Sequence, residues 1–240
     1  MQSWSLILLC YNESMSIVKI VREATEVLNI ISSNNHEIII VDDGSSDGST
    51  ELIKELENKN PIIRVVYHKK NKGIGSALQS GYNIASKENV CVIPADGQFN
   101  IKELIKISRL EPKSFISFYR KEYTGYSNFR KVLSLTNRLV NKIFLGLHLK
   151  DVNWIKILKR EMILNLRLTM SSSLIESEIC SKMIINGFKP IEIESEYLPR
   201  DNGVSKGGSL IIIYHALIEV IKLIVIIFIY KRNYKNGFLH

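Results

Sequence analysis

The chain has 240 residues, enough for one large α/β domain or two small ones. At 45% hydrophobic and 23% charged, the composition excludes an intrinsically disordered chain, and three cysteines without CxxC pairing (Cys10, Cys91 and Cys180) indicate neither a disulfide framework nor a structural zinc site. The net charge of +8 suits an anionic partner, namely a phosphate-bearing ligand, a nucleic acid or an anionic lipid surface, although on charge alone a Lys-rich solvated surface accounts for it.

The N-terminal run "WSLILLC" is too short for a leader with a processing site and reads as a first strand, over 5–11. Residues 14–31 place Ile17, Ile20, Val21, Ala24, Val27, Leu28 and Ile31 at helical spacing. "EIIIVDD" (37–43) is a continuous apolar run ending in two acids, as in a strand buried on both faces. Ser49 or Thr50 then caps a helix running to Lys59. A strand over 62–68, a helix over 75–87 and a strand over 89–96 follow. Repeated βα units predict an α/β fold with a mostly parallel, doubly wound sheet flanked by helices.

Ligands of such sheets sit beyond the carboxyl ends of the strands. Three strands end in chemistry-bearing residues: Tyr11-Asn12-Glu13, Asp42-Asp43-Gly44-Ser45 and Asp96-Gly97-Gln98. Helix capping explains Ser45, Ser46 and Asp47, but two adjacent acids at a strand end suggest that one of them reads a ligand. The glycines of "NKGIGSALQSG" (71–81) match neither the dinucleotide fingerprint nor a Walker A loop.

The second half is less regular. A strand over 114–120 ends in Arg120, a basic helix is expected over 127–146, and a helix over 174–187 carries Glu176 and Glu178. "KPIEIESEYL" (189–198) alternates as a half-exposed strand does, and the basic Gly-rich loop "RDNGVSKGG" follows. Residues 109–160 are rich in Lys and Arg, which suits a membrane-bound phosphate lipid as well as a solvated surface. The apolar segment 210–230 is long enough to span a bilayer, but His215, Glu219 and Lys222 fall on one helical face. That stripe favours a helix lying in the membrane interface, with Lys231, Arg232 and Lys235 meeting anionic headgroups at the cytoplasmic face. The alternative is an amphipathic helix docked on the domain or on a second subunit, giving a homodimer. The division expected is a domain over 1–208 and a helix with a basic tail over 209–240.

"YNES" (11–14), "EIIIVDDGSSDGS" (37–49), "NKGIGSALQSGYNIA" (71–85), "ADGQF" (95–99), Arg120 and "PRDNGVSKGG" (199–208) together resemble the family 2 glycosyltransferases of GT-A fold. Within them the pattern is similar to that of the polyprenyl-phosphate sugar transferases. The resemblance implies an inverting, metal-dependent transfer from a UDP- or GDP-sugar to polyprenyl phosphate, with Mg²⁺ or Mn²⁺ bridging the diphosphate. By position it implies that Tyr11, Glu13, Val41, Asp43 and Ala95 bind the nucleoside end of the donor. Asp96 and Gln98 are implied as metal ligands, and Arg120, Arg200 and Lys206 as grips on donor and acceptor phosphates. Asp151 and Glu178 match acids that position sugar and acceptor, so Asp96, Asp151 and Glu178 are the catalytic candidates.

The chain departs from the pattern where Cys10 replaces a Pro before Tyr11, and where Pro94 replaces the first Asp of a metal-binding Asp-x-Asp. It also departs in "DVNWIKILKR" (151–160), where Trp154 reads as core. Two other readings stay open: a saccharide acceptor in surface polysaccharide synthesis, with Asp151 or Glu178 as base, and a catalytically silent, membrane-peripheral binding module. A nucleic-acid partner is not expected, because the basic segments lack interleaved aromatics.

Overall fold

The computed structural model describes residues 2–32, 34–107, 110–121, 138–199 and 210–236, with side chains of the last segment described from 218 onward. Seven strands form one sheet in the order β3-β2-β1-β4-β6-β5-β7. In chain order these are β1 (Trp4–Cys10), β2 (His36–Asp42), β3 (Ile63–Tyr67), β4 (Asn89–Pro94), β5 (Ser114–Arg120), β6 (Lys156–Lys159) and β7 (Lys189–Ser195). All neighbouring strands run parallel except β6, which is antiparallel to both β4 and β5. The labelled helices are α1 (Ile17–Ser32), α2 (Ser49–Lys59), α3 (Ile74–Ile84), α4 (Arg160–Asn165), α5 (Ile175–Ile185) and α6 (Leu210–Lys235), beside a helical stretch over 138–144 and a 3₁₀ turn over Ile101–Lys106.

The alternation of side chains along each strand builds a core on both faces of the sheet. Leu6, Leu8, Ile38 and Ile40 pack with Ile20, Ala24 and Leu28 of α1 and with Leu104 of the 3₁₀ turn. Ile7, Ile39 and Val41 pack on the other side with Ala77 and Leu78 of α3, Ile179 and Met183 of α5, and Leu223 and Ile227 of α6. The central strands are thus covered on both sides, as a parallel sheet requires.

The four N-terminal strands and three helices follow the sequence pattern closely. Helix α2 differs in its start: Gly48, at φ +93°, is the capping residue, and Ser49 is already helical. Strand β6 and helix α4 were not foreseen. Of the basic helix expected over 127–146, residues 138–144 are described and are helical; the remainder lies outside the described residues.

Pro94 ends a central strand, where a missing N–H normally breaks a ladder. Ala95 N donates to Leu9 O (2.9 Å), so by alternation the Pro94 nitrogen faces away from β1, toward β6. The pairing of β6 with β4 covers only Asn89 to Cys91, so no ladder bond is demanded of Pro94.

Candidate active site at the carboxyl edge of the sheet

The loops after β1 and β2 are sewn together. Asn12, in the left-handed region at φ +59°, accepts from Ser46 N (2.8 Å) and donates its own N–H to Ser45 Oγ (3.0 Å). Glu13 N donates to Ser49 Oγ (2.9 Å), and Ser14 N to Asp47 (3.0 Å). Burial pushes the Asp47 carboxyl up, but hydrogen bonds from Ser49 and Ser14 outweigh it and hold its pKa at about 2. Cys10 O accepts from Asp43 N (2.9 Å), so the position that carries Pro in the family pattern keeps a backbone link to β2. Burial pushes the Cys10 thiol up to about 12.

Both acids at the end of β2 fasten neighbouring loops. Asp42 accepts from Ser45 N (3.0 Å) and Thr50 Oγ1 (2.5 Å). Asp43 accepts from Lys72 N and Gly73 N (both 2.9 Å) and pairs with His68 Nδ1 (2.6 Å), whose Nε2 meets Ser80 Oγ (2.9 Å). Gly44 lies so close to the backbone of Lys70 and Asn71 that an added Cβ would come within 2.6 Å of the Lys70 carbonyl carbon. Among the other residues expected at the nucleoside end, Tyr11 is exposed and Glu13 is half-buried at the same edge. Val41 is fully buried in the core, so its side chain offers a ligand nothing. Ala95 is also buried, and its carbonyl accepts from Ser16 Oγ (2.5 Å).

After β4 the chain turns through Gly97 at φ +75°, and Gln98 N donates to Asp96 Oδ1 (3.1 Å). The Gln98 side chain donates through Nε2 to the Tyr197 hydroxyl. Phe99 bridges antiparallel to Tyr197, and Leu198 N donates to Gln98 O (2.9 Å), so the turn is zipped to the chain leaving β7. Asp96 and Gln98 bring a carboxylate and an amide carbonyl to one turn, a hard-oxygen donor set that fits Mg²⁺ or Mn²⁺. Among the described residues no group of three or more His, Cys, Asp or Glu is placed to hold a metal, so a cation here would draw its other ligands from elsewhere.

Arg120, at the end of β5, makes a two-point ion pair with Asp151, Nε–Oδ2 at 2.7 Å and Nη2–Oδ1 at 3.2 Å. Its guanidinium lies 4.9 Å from the Trp154 ring centre and 5.7 Å from that of Tyr197. Trp154 is core, as expected: it donates to Ser195 Oγ (2.8 Å) and packs against Phe99 and Tyr197. Because β6 runs antiparallel, the residues before it arrive at the edge where the other strands end. Gln98 and Arg120 therefore both touch one aromatic cluster of Phe99, Trp154 and Tyr197, with Asp96 bonded to Gln98 N and Asp151 paired with Arg120.

Glu178 stands apart from this cluster in its bonding. It is fully buried and accepts from Thr169 N, Thr169 Oγ1, Met170 N and Lys182 Nζ, which makes it a structural carboxylate; contact with a substrate does not follow from that placement. Arg200 and Lys206 lie outside the described residues. Sequence reasoning missed Tyr197, which touches Gln98 in the turn after β4, and Ser195, which touches Trp154. The signal was present: Ile193, Ser195 and Tyr197 continue one face of the alternating strand.

Residues 5–144 match the family model described as glycosyl transferase family 2. An undecaprenyl-phosphate 4-deoxy-4-formamido-L-arabinose transferase of Aeromonas hydrophila is 28% identical over 211 residues, covering 85% of this chain and 62% of that protein. A dolichyl-phosphate beta-glucosyltransferase of Trichomonas vaginalis is 34% identical over 103 residues, covering 41% of this chain and 31% of that one. This chain thus spans less than two thirds of the length of either relative. Among solved structures, a mannosyltransferase of Pyrobaculum calidifontis in complex with GDP-Man and Mn²⁺ superposes with a TM-score of 0.60 at 17% identity, covering 90% of this chain and 59% of that one. Glucosyl-3-phosphoglycerate synthase of Mycobacterium tuberculosis, in complex with Mn²⁺, UDP-glucose and phosphoglyceric acid, does so at 0.62 and 17% identity, covering 94% and 79%. These neighbours have the GT-A fold, and the mostly parallel seven-stranded sheet flanked by helices is the same architecture.

Proposed function

Because this chain belongs to glycosyl transferase family 2, we propose that it moves a sugar from a UDP- or GDP-sugar to a polyprenyl phosphate, with inversion at the anomeric carbon. The observation that carries the reading is that Gln98 and Arg120, the one linked to Asp96 and the other to Asp151, meet at one aromatic cluster at the carboxyl edge of the sheet. It is supported by relatives named as undecaprenyl- and dolichyl-phosphate sugar transferases, and by neighbours solved with GDP-Man or UDP-glucose and Mn²⁺.

In this reading Tyr11, Glu13 and Asp43 border the nucleoside, and Asp96 with Gln98 hold the cation. A bound Mg²⁺ or Mn²⁺ supplies positive charge beside the diphosphate that departs. Arg120 adds a fixed guanidinium, oriented by Asp151 and by the Trp154 face, and Arg200 and Lys206 contribute further cationic grip. An acceptor phosphate oxygen forms the new bond to the anomeric carbon as the bond to the donor's phosphate oxygen breaks. The electron pair of that bond leaves on the nucleoside diphosphate.

The state of the two candidate bases favours phosphate over a sugar hydroxyl as acceptor. Asp151 is paired with Arg120, and Glu178 is buried under four donors. An acceptor phosphate is already ionised at neutral pH, its second pKa being about 6, and needs no strong base. The protein would act at the cytoplasmic face of the membrane, held peripherally by α6. No described helix is long and apolar enough to cross a membrane. Instead Leu223, Ile227 and Tyr230 of α6 dock on the body, while Ile221, Val225, Phe228 and Ile229 are exposed.

Sugar transfer to undecaprenyl phosphate in detergent, with UDP- and GDP-sugars and Mn²⁺, tests the proposal. A lipid-linked product that disappears with chelator and with Asp96→Ala is expected. No such product with any common donor, beside Mn²⁺-dependent nucleotide binding, would shift the reading toward a saccharide acceptor. Absence of nucleotide binding altogether would leave the silent module, for which Pro94 is the argument.

A further inference from the structure

We propose that Tyr197 is a positioning residue that sets which end of the Gln98 amide faces the cation; the inference rests on the reading that Asp96 and Gln98 hold a divalent metal. An amide side chain has two ends of similar shape and opposite polarity, and only the carbonyl end ligates a cation. A single-bond rotation exchanges them. Here Nε2 donates to the Tyr197 hydroxyl, which assigns Oε1 to the other side of the amide.

The hydroxyl is itself held in place before any ligand arrives. The Tyr197 ring leans on Trp154, with centroids 5.6 Å apart, and lies under the Arg120 guanidinium. Its backbone bridges Phe99, and the next residue bonds Gln98 O, so ring and amide stand on the same short piece of paired backbone. Trp154 is fastened in turn to Ser195, two residues before Tyr197. Such supporting contacts fix ligand orientation, and their loss typically costs about 10–100-fold in metal affinity. The dependence is sharpened by Pro94. Strand β4 offers no second carboxylate in the turn, so an amide with the wrong end forward would turn an N–H donor toward the cation and leave Asp96 as the protein's only ligand in the turn.

The test is calorimetry on the full chain with UDP and with GDP, each with Mn²⁺ and with chelator. Tyr197→Phe keeps the ring and its packing, and should weaken Mn²⁺-dependent nucleotide affinity about tenfold while chelator-insensitive binding stays unchanged. In a Gln98→Glu background both ends are oxygen, so there Tyr197→Phe should change that affinity by less than about twofold. Wild-type affinity in Tyr197→Phe overturns the inference, and so does an equal loss in both backgrounds, because the hydroxyl would then act on something other than amide orientation. If Asp96→Ala keeps Mn²⁺-dependent binding, or none is seen with either nucleotide, the metal-site reading itself fails and takes the inference with it.

Discussion

The Glu178 carboxylate occupies a position where an acid of the catalytic apparatus is expected, yet its partners come from the scaffold. Thr169 and Met170 give it backbone N–H groups, and Lys182, one helical turn on, gives it a buried ammonium that also bonds Leu166 O and Arg167 O. Breaking such a pair strands a charge in a low-dielectric interior and costs about 3–5 kcal/mol. For a chain of this size that lowers the melting temperature by roughly 6–20 °C. Glu178→Ala should therefore show its effect in thermal unfolding, while transfer per folded molecule, assayed well below the transition, stays within about twofold of wild type. A loss of turnover above a hundredfold in protein that is still folded would return Glu178 to the catalytic group. Acids at strand ends were legible in the sequence as a pattern. What each acid faces was not, because the donors on Asp43 (His68, Lys72 N and Gly73 N) lie 25 to 30 residues further along the chain.

At the scale of elements, the loops around the site are held by close backbone approach as much as by side chains. Gly75, in the first turn of α3, lies against Ser171 and Ser172, where an added Cβ would meet the Ser171 carbonyl carbon at 2.4 Å and its oxygen at 2.5 Å. Gln79 Nε2 reinforces the contact by donating to Met170 O (2.8 Å). Gly→Ala inside a helix ordinarily gains up to about 1 kcal/mol. At Gly75 the displaced partner is backbone, and the overpacking cost of about 1–3 kcal/mol should reverse the sign. Chemical denaturation of Gly75→Ala should show a lowered midpoint, and a raised one would mean that the 171–172 loop gives way freely.

The parallel half of the sheet was readable because each of its strands is an apolar run followed by a helical pattern. Strand β6 was not, since "KILK" is four residues long and looks like an exposed basic patch. Lys156 is in fact buried. Its ammonium bonds Val152 O, Trp154 O and Glu176; burial alone would lower its pKa, but the charge and hydrogen bond of Glu176, with Cys180 and Asp151 adding to them, together hold it above the usual lysine value. The partner that makes this burial affordable sits on α5, beyond the reach of any local pattern.

For the molecule as a whole, α6 decides how the domain meets its surroundings. Glu219 and Lys222 pair at 3.8 Å, so the charged stripe seen in the sequence is real on the described part of the helix; His215 lies outside the described side chains. Tyr230 OH accepts from Asn186, which ties the helix to the end of α5. The face that carries Val225 and Phe228 has no such tie among the described residues: Phe228 is 69% exposed, just before Lys231, Arg232 and Lys235. On the proposed membrane reading, the double variant Val225→Glu, Phe228→Glu should lose at least tenfold in binding to vesicles containing anionic lipid, with its melting temperature unchanged. Unaltered vesicle binding, together with conversion of a dimer to a monomer, would assign the face to a second copy instead.

The antiparallel strand in an otherwise parallel sheet also has a consequence for biogenesis. The first four strands, in spatial order β3-β2-β1-β4, are complete once synthesis reaches Pro94, yet β6, which covers the open side of β4, begins only at Lys156. At ~5–20 residues per second the ribosome takes several seconds to deliver it. During that interval the emerging chain carries a bare apolar strand edge, a template for pairing with other nascent chains. The proline at the tip of β4 removes one N–H from that edge. A residue met first as a departure from the Asp-x-Asp pattern would thus also serve as a guard on the half-made sheet.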